Sequence, residues 1–230
     1  YKTNLASAYR KLKNYAGALI VYKEMLAYHV ETDKLMHNIG SVYLAMRQPA
    51  VAIDYLNKVN YEDQKKYNDL GRAYYLLKDY AKAGIYFQKA SALNTKLNVA
   101  HKNSDHGITL KYLGDINLQK KQPLPALQFY QQAISNLQFD FSPKNIYTNP
   151  SEFNSVFNTA ELLETLLAKA EAFSLLYDQT GKTKDLDASL NTYLAFYKLA
   201  DHIERFYDTD DARLLISDKK YASHQVPIDI

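Results

Sequence analysis

Cysteine is absent from the 230 residues, so this chain can form no disulfide, offer no thiolate nucleophile and build no cysteine-ligated zinc site. It cannot itself be a cysteine peptidase. Long apolar runs are also missing. No stretch approaches the roughly eighteen uncharged residues of a membrane span, and Tyr1-Lys2-Thr3-Asn4-Leu5 lacks the apolar run of a signal peptide. There is no initiator methionine, as expected of an excised or upstream-processed piece, and a cytoplasmic setting is the expectation. The chain also lacks a strong excess of either charge, with a formal net charge of +3. Its lysines are dispersed rather than clustered, which argues against nucleic-acid recognition.

What the sequence has is a hydrophobic content of 47%, enough for a continuous core, and an uneven distribution of charge. Residues 1–121 carry 19 Lys+Arg against 10 Asp+Glu, a net +9; residues 122–230 carry 9 against 15, a net −6. A basic first half would attract acidic partners, although a basic solvated helix face accounts for the same count.

Internal repetition is the main signal. Leu5-Ala6-x-x-Tyr9, with Ala18, Tyr22 and Met25, recurs as Ile39-Gly40-x-x-Tyr43 with Ala52, Leu56 and Val59. It recurs again as Leu70-Gly71-x-x-Tyr74 with Ala83, Phe87 and Ala90, and as Leu113-Gly114-x-x-Asn117 with Ala126, Tyr130 and Ala133. Internal spacings are identical, while the marker alanine advances by 34, 31 and 43 residues. The small residue at 6, 40, 71 and 114 lets a first helix approach a second, the alanines supply the facing small surface, and the tyrosines fill the space between. Asn117 departs from the pattern, and Tyr112 and Phe129 are candidates to fill its gap.

This pattern resembles the tetratricopeptide repeat. The resemblance implies an all-α chain of helical hairpins stacked in a right-handed superhelix, with Gly40, Gly71 and Gly114 buried at helix crossings. The expected helices are 1–13 with 15–28, 32–46 with 49–59, 61–77 with 80–97, and 106–121 with 123–138. Pro49 and Pro123 open second helices, where a missing N–H costs nothing. The extra residues Lys96 to His106 should lengthen the helices on either side. The expected organisation is four hairpins over 1–138, an aromatic loop over 139–151, an enlarged fifth hairpin over 152–209, and the start of a further helix over 210–230, truncated before another domain.

The second half has a narrower likeness. Phe139-x-Phe141, Ile146-Tyr147-x-Asn149-Pro150, Leu162-Leu163-Glu164-Thr165-Leu166-x-x-Lys169-Ala170, Leu186, Tyr193, Tyr207 and Arg213 resemble the region that precedes the CHAT domain, a caspase-like peptidase module fused to such repeats in bacteria. The resemblance spans about residues 105–221. It implies a recognition or regulatory arm, with the catalytic His and Cys further downstream.

In tetratricopeptide arrays the first helices line a concave surface. The positions implied here are Ser7 and Arg10, Ser41 and Leu44, Arg72 and Tyr75, and Asp115 and Leu118, with Thr3, His37, Asn68 and Lys111 four residues up the same face. This mixture of cations, hydroxyls and apolar side chains suits a protein or extended peptide of acidic character. The chaperone-tail subtype needs five carboxylate-clamping residues. Thr3, Ser7, Asn38, Lys65 and Asp69 match it at two positions, and Asp69 would repel the carboxylate.

Other constellations have simpler explanations. Gly181-Lys182-Thr183 lacks the earlier glycine of a phosphate loop, since position 176 is Leu176. His29, His37, His101, His106, His202 and His224 include no zinc-helix pair, and Asp208, Asp210 and Asp211 suit a helix cap better than a calcium loop. Glu161, Glu164 and Glu171 follow a polar helix face. No catalytic, metal-binding or cofactor residues are assigned. The leading expectation is an interaction arm, the alternative is a free-standing adaptor, and a metal hydrolase using His101, Asp105 and His106 is a remote third.

Overall fold

The structure, a computed structural model, describes residues 2–28, 31–97 and 101–206. The expected further helix over 210–230, and Tyr207, Asp208, Asp210, Asp211, Arg213, His29 and His224, lie outside the described residues. Ten helices are described: α1 Lys2–Lys11, α2 Tyr15–Leu26, α3 Thr32–Ala45, α4 Pro49–Leu56, α5 Gln64–Leu76, α6 Tyr80–Leu97, α7 Ser104–Gln119, α8 Pro123–Leu137, α9 Thr159–Thr180 and α10 Thr183–Phe206. Consecutive helices pair as hairpins: α1 with α2, α3 with α4, α5 with α6, α7 with α8 and α9 with α10. The chain divides into two compact units, 1–99 and 100–230, so the fourth hairpin stands with the loop and the last hairpin.

Small residues set the hairpin crossings. A Cβ built on Gly40 would lie 2.8 Å from Leu56, one on Gly71 2.7 Å from Phe87, and one on Gly114 2.5 Å from Tyr130. Each partner lies sixteen residues further on and is fully buried. Ala6 and Tyr22 hold the same positions in the first hairpin and are buried as well. Tyr43 stacks on Tyr55 and Tyr74 on Tyr86, with ring centroids 5.4 Å apart in both pairs. Asn117 instead turns its amide back to the Leu113 carbonyl at 2.7 Å.

The turn inside each of the first four hairpins repeats a device that the sequence pattern does not announce. Lys13, Arg47, Lys78 and Lys121 all take left-handed backbone, with φ of 58°, 59°, 61° and 55°. Each donates its N–H three residues back, and the next residue donates five residues back to the marker carbonyl: Asn14 to Tyr9, Gln48 to Tyr43, Asp79 to Tyr74 and Gln122 to Asn117, at 2.8–3.0 Å. This is the paired bonding of a Schellman cap, normally built with glycine. Here a cation stands at the negative end of each first helix.

Several expected boundaries shift because of caps. Helix α5 begins at Gln64, since the Asp63 side chain accepts from the Lys66 N–H at 2.7 Å, and α7 begins at Ser104 under Asn103. Helix α6 spans 18 residues to Leu97, its expected end, and α7 takes in Ser104 and Asp105, while residues 101–103 are non-helical. Helix α9 starts at Thr159, seven residues later than expected. Asn158 caps it there, and residues 138 and 156 are joined by an isolated antiparallel bridge, which keeps the preceding stretch extended.

In the second unit, one core joins α8 to α9, α10 and the loop through Ile134, Leu137, Phe141, Phe153, Leu166, Phe196 and Leu199. Lys169 is fully buried in α9. Its ammonium donates to Gln131 Oε1 at 2.7 Å, the Thr148 carbonyl at 2.9 Å and Asn149 Oδ1 at 2.7 Å. Three acceptors match the three N–H donors of the charged form. Lys169 thus ties the loop to α8 and α9.

Candidate partner-binding face

Helices α3 and α5 are neighbouring first helices in the first unit. His37 and Ser41 lie one turn apart on α3, as Asn68 and Arg72 do on α5, so each pair shares a face. Between the helices stands Asp69. Its Oδ2 accepts from Ser41 Oγ at 2.5 Å and lies 3.2 Å from His37 Nε2, while Arg72 lies 3.7 Å from its Oδ1. Burial pushes the Asp69 carboxyl up, but the hydrogen bonds from His37 and Ser41 and the charge of Arg72 outweigh it and hold the group below its usual value.

An ionised Asp69 can only accept, so His37 Nε2 carries a proton toward it. In the neutral imidazole, Nδ1 then accepts from the Tyr61 hydroxyl at 2.7 Å. Burial pushes the Tyr61 phenol up to about 12, assisted by Asp63, Asp33 and Asp69, and keeps it a donor. Ser, His and Asp meet here in an order unsuited to nucleophilic catalysis. Ser41 donates to the carboxylate rather than to the imidazole, so no base activates its oxygen. The network instead fixes α3 against α5.

The other residues assigned from sequence are spread by orientation. Arg10 is exposed and the Arg72 side chain is 43% exposed. Asn68 is buried, and Tyr75 is half-buried with its ring edge against Tyr80 at 5.3 Å. Ser7 faces its own second helix, 3.2 Å from the Tyr22 hydroxyl, and Thr3 points to Met25. Leu44 joins the core with Leu70.

Lys111 and Asp115 belong to the second unit and are turned inward. They pair at 3.0 Å, Lys111 also reaches Glu164 at 3.3 Å, and Tyr130 donates to Asp115 at 2.9 Å. Burial disfavours the Lys111 ammonium, yet Asp115, Tyr112 and Glu164 outweigh it and hold its pKa above the usual value. Tyr112 lies under that ammonium, 4.6 Å from ring centroid to Nζ. Among the described residues, no three His, Asp or Glu side chains gather to hold a metal, and no helix is long and apolar enough to cross a membrane.

Sequence reasoning missed Tyr61 and gave Asp69 only a negative part. The i, i+4 spacing of His37 with Ser41 marked one face, but nothing in the spacing identified Asp69 as the shared acceptor across helices.

The repeat geometry is matched by family models of the tetratricopeptide repeat, over residues 1–32, 33–66 and 63–138. Residues 1–138 thus carry tetratricopeptide repeats. Solved structures share the tetratricopeptide fold. The crystal structure of MamA protein is 15% identical, with a TM-score of 0.56 over 90% of this chain and 94% of that one. BtubC (BKLC) from P. vanneervenii is 12% identical, with a TM-score of 0.64 over 89% and 80%. The APC/C hetero-tetramer Cut9-Hcn1 is 14% identical, with a TM-score of 0.65 over 96% of this chain and 38% of that one. At these identities the likeness is one of fold. No curated protein matches the chain. Tetratricopeptide repeats generally serve as non-catalytic scaffolds that bind proteins or peptides.

Proposed function

We propose that this chain is a protein-interaction arm whose α1, α3 and α5 face takes an acidic segment of a partner protein. The observation that carries this is Arg72: a partly exposed guanidinium on α5, beside a part-buried His37–Asp69–Ser41 network that fixes the helix presenting it. A planar guanidinium can grip a carboxylate with two parallel bonds. Arg10 supplies a second exposed cation on the same unit. Asp69 sets a limit, because it already shares Arg72's field and favours a partner with several carboxylates over a single one.

The finer reading makes this arm the recruiting segment of a bacterial caspase-like peptidase of the CHAT type. It is supported by the resemblance over about residues 105–221. A free-standing adaptor is the alternative, and the parent reading frame separates the two. A downstream His and Cys in an α/β domain are expected under the peptidase reading, and a frame without them removes it.

Binding is tested with acidic peptides selected from a random display library on the whole chain. Arg72→Glu should weaken them more than Lys89→Glu, a change on α6, and affinity should fall as salt rises, since screening acts over about 10 Å at 0.1 M. Equal losses at both positions, or indifference to salt, would remove the acidic-partner reading.

A further inference from the structure

We propose that the Phe139–Phe157 pair is a second docking surface, which takes a partner-protein segment carrying an apolar anchor flanked by Lys or Arg. Phe139 is 62% exposed and Phe157 51%, with ring centroids 6.2 Å apart and planes at 89°. Their neighbours point the other way, as Phe141 and Phe153 are buried in the core of the second unit. The loop therefore divides its phenylalanines, two anchoring it and two presented outward.

The backbone beneath the pair is held from several directions. Phe139 donates its N–H to the Ser155 carbonyl at 2.9 Å, and Phe157 donates to Leu137 at 2.8 Å. Gln138 Nε2 donates to the Glu152 carbonyl at 2.5 Å. Lys102 Nζ donates to the carbonyls of Phe139 and Phe141, both at 2.7 Å, and to that of Gln138 at 3.2 Å. Two consequences follow. The rings are preorganised, so binding to them loses little conformational entropy, and aromatic anchors of this kind dominate interface energies. The carbonyls along this edge are occupied by an ammonium, so recognition must run through side chains rather than through strand addition.

Charge complementarity selects the partner. Asp140 and Glu152 are exposed on the same loop, and no ion pair reaches either among the described residues. The Ser155 hydroxyl donates to Asp140 at 2.5 Å; the nearby Lys102 ammonium is turned to the three carbonyls but its field also reaches Asp140, so Asp140, Glu152 and Lys102 together leave a net −1. Residues 122–230 as a whole carry 9 Lys+Arg against 15 Asp+Glu. An apolar segment with acidic flanks would meet repulsion here, and one with basic flanks attraction. The sign is opposite to that of the α3–α5 face, so the two surfaces would choose different partners.

The test uses a random peptide library displayed on phage and panned against the whole chain, with the Phe139→Ser, Phe157→Ser double variant as the counter-target. Both side chains are exposed, so the variant should melt within a degree or two of wild type, and melting is measured first. The expected result is enrichment of peptides with an aromatic or large aliphatic residue flanked by Lys or Arg. Their synthetic forms should bind the double variant at least about thirty-fold more weakly, the size of a hot-spot loss of about 2 kcal/mol. They should be indifferent to Arg72→Glu. Failure to enrich any peptide over the counter-target overturns the proposal. So does enrichment of acidic peptides alone, which would leave the α3–α5 face standing. A concentration-dependent dimer that disappears in the double variant would assign the pair to a second copy of this chain, and likewise overturns it.

Discussion

Replacing Gly71 with alanine should press a methyl carbon into the ring of Phe87. The added Cβ would sit 2.7–2.8 Å from three ring atoms, where carbon contacts are comfortable at about 3.5–4.0 Å. The ring would have to retreat by almost 1 Å inside a core where Phe87 has no exposed surface. Overpacking of this kind costs about 1–3 kcal/mol. Opposing it is the better helix propensity of alanine, worth about 1 kcal/mol over glycine in a helix interior. The net expectation for Gly71→Ala is a loss of roughly 0–2 kcal/mol, and Gly71→Leu should fall at the upper end of the overpacking range or beyond. A double-mutant cycle isolates the contact. Phe87→Ala alone should cost about 3–5 kcal/mol, and in that background Gly71→Ala should become neutral or stabilising, because nothing opposes its propensity gain. Urea unfolding followed by circular dichroism, with native-state hydrogen exchange at α5 and α6, gives the four stabilities. An identical Gly71→Ala effect in both backgrounds would refute the close-crossing account of the repeats.

Three further outcomes follow from the turns and from the buried lysine. At position 78, with φ of 61°, Lys78→Gly should melt higher than Lys78→Ala, since both lose the cation at the helix end and only alanine keeps a Cβ in left-handed backbone, which costs about 1–2 kcal/mol; the reverse order would contradict the Schellman reading. Lys169→Met should destabilise the second unit by at least about 2 kcal/mol in urea unfolding, because three oxygens lose their donor and each buried orphan costs about 1–3 kcal/mol, partly offset by removal of a buried charge. Burial pushes the Lys169 ammonium down to about 7. Between there and its unfolded value near 10.4, the unfolded chain binds the extra proton. Wild-type stability should therefore gain a rising contribution from about pH 7 to about 10.4, and Lys169→Met should lack it; identical slopes in the two proteins would contradict the assignment.

The fold was legible because repetition multiplies a weak signal. One small residue three before a tyrosine means little, but four copies of the pattern with the same internal spacings locate the eight residues of the buried crossings, from Ala6 and Tyr22 to Gly114 and Tyr130. Boundaries were less legible, since caps such as Asp63 and Asn158 depend on one hydrogen bond each. The left-handed turns carried no signal either, because lysine or arginine occupies the position where glycine would have marked it. The face was legible only as a helix stripe. Spacing along one helix placed His37 with Ser41, and Asn68 with Arg72, but whether a side chain on that stripe meets solvent or a neighbour is decided across helices. Asp69 draws His37 and Ser41 inward, and Glu164, fifty-three residues away in sequence, helps bury Lys111.

The central claim is that the first-helix face of the first unit receives the partner. A photoreactive amino acid placed at position 72 on α5, and separately at exposed position 88 on α6, tests it most directly in the presence of an acidic peptide selected on the whole chain. The account predicts a covalent adduct from position 72 and none from position 88. Adducts from 88 alone, or equal yields from both, would contradict it.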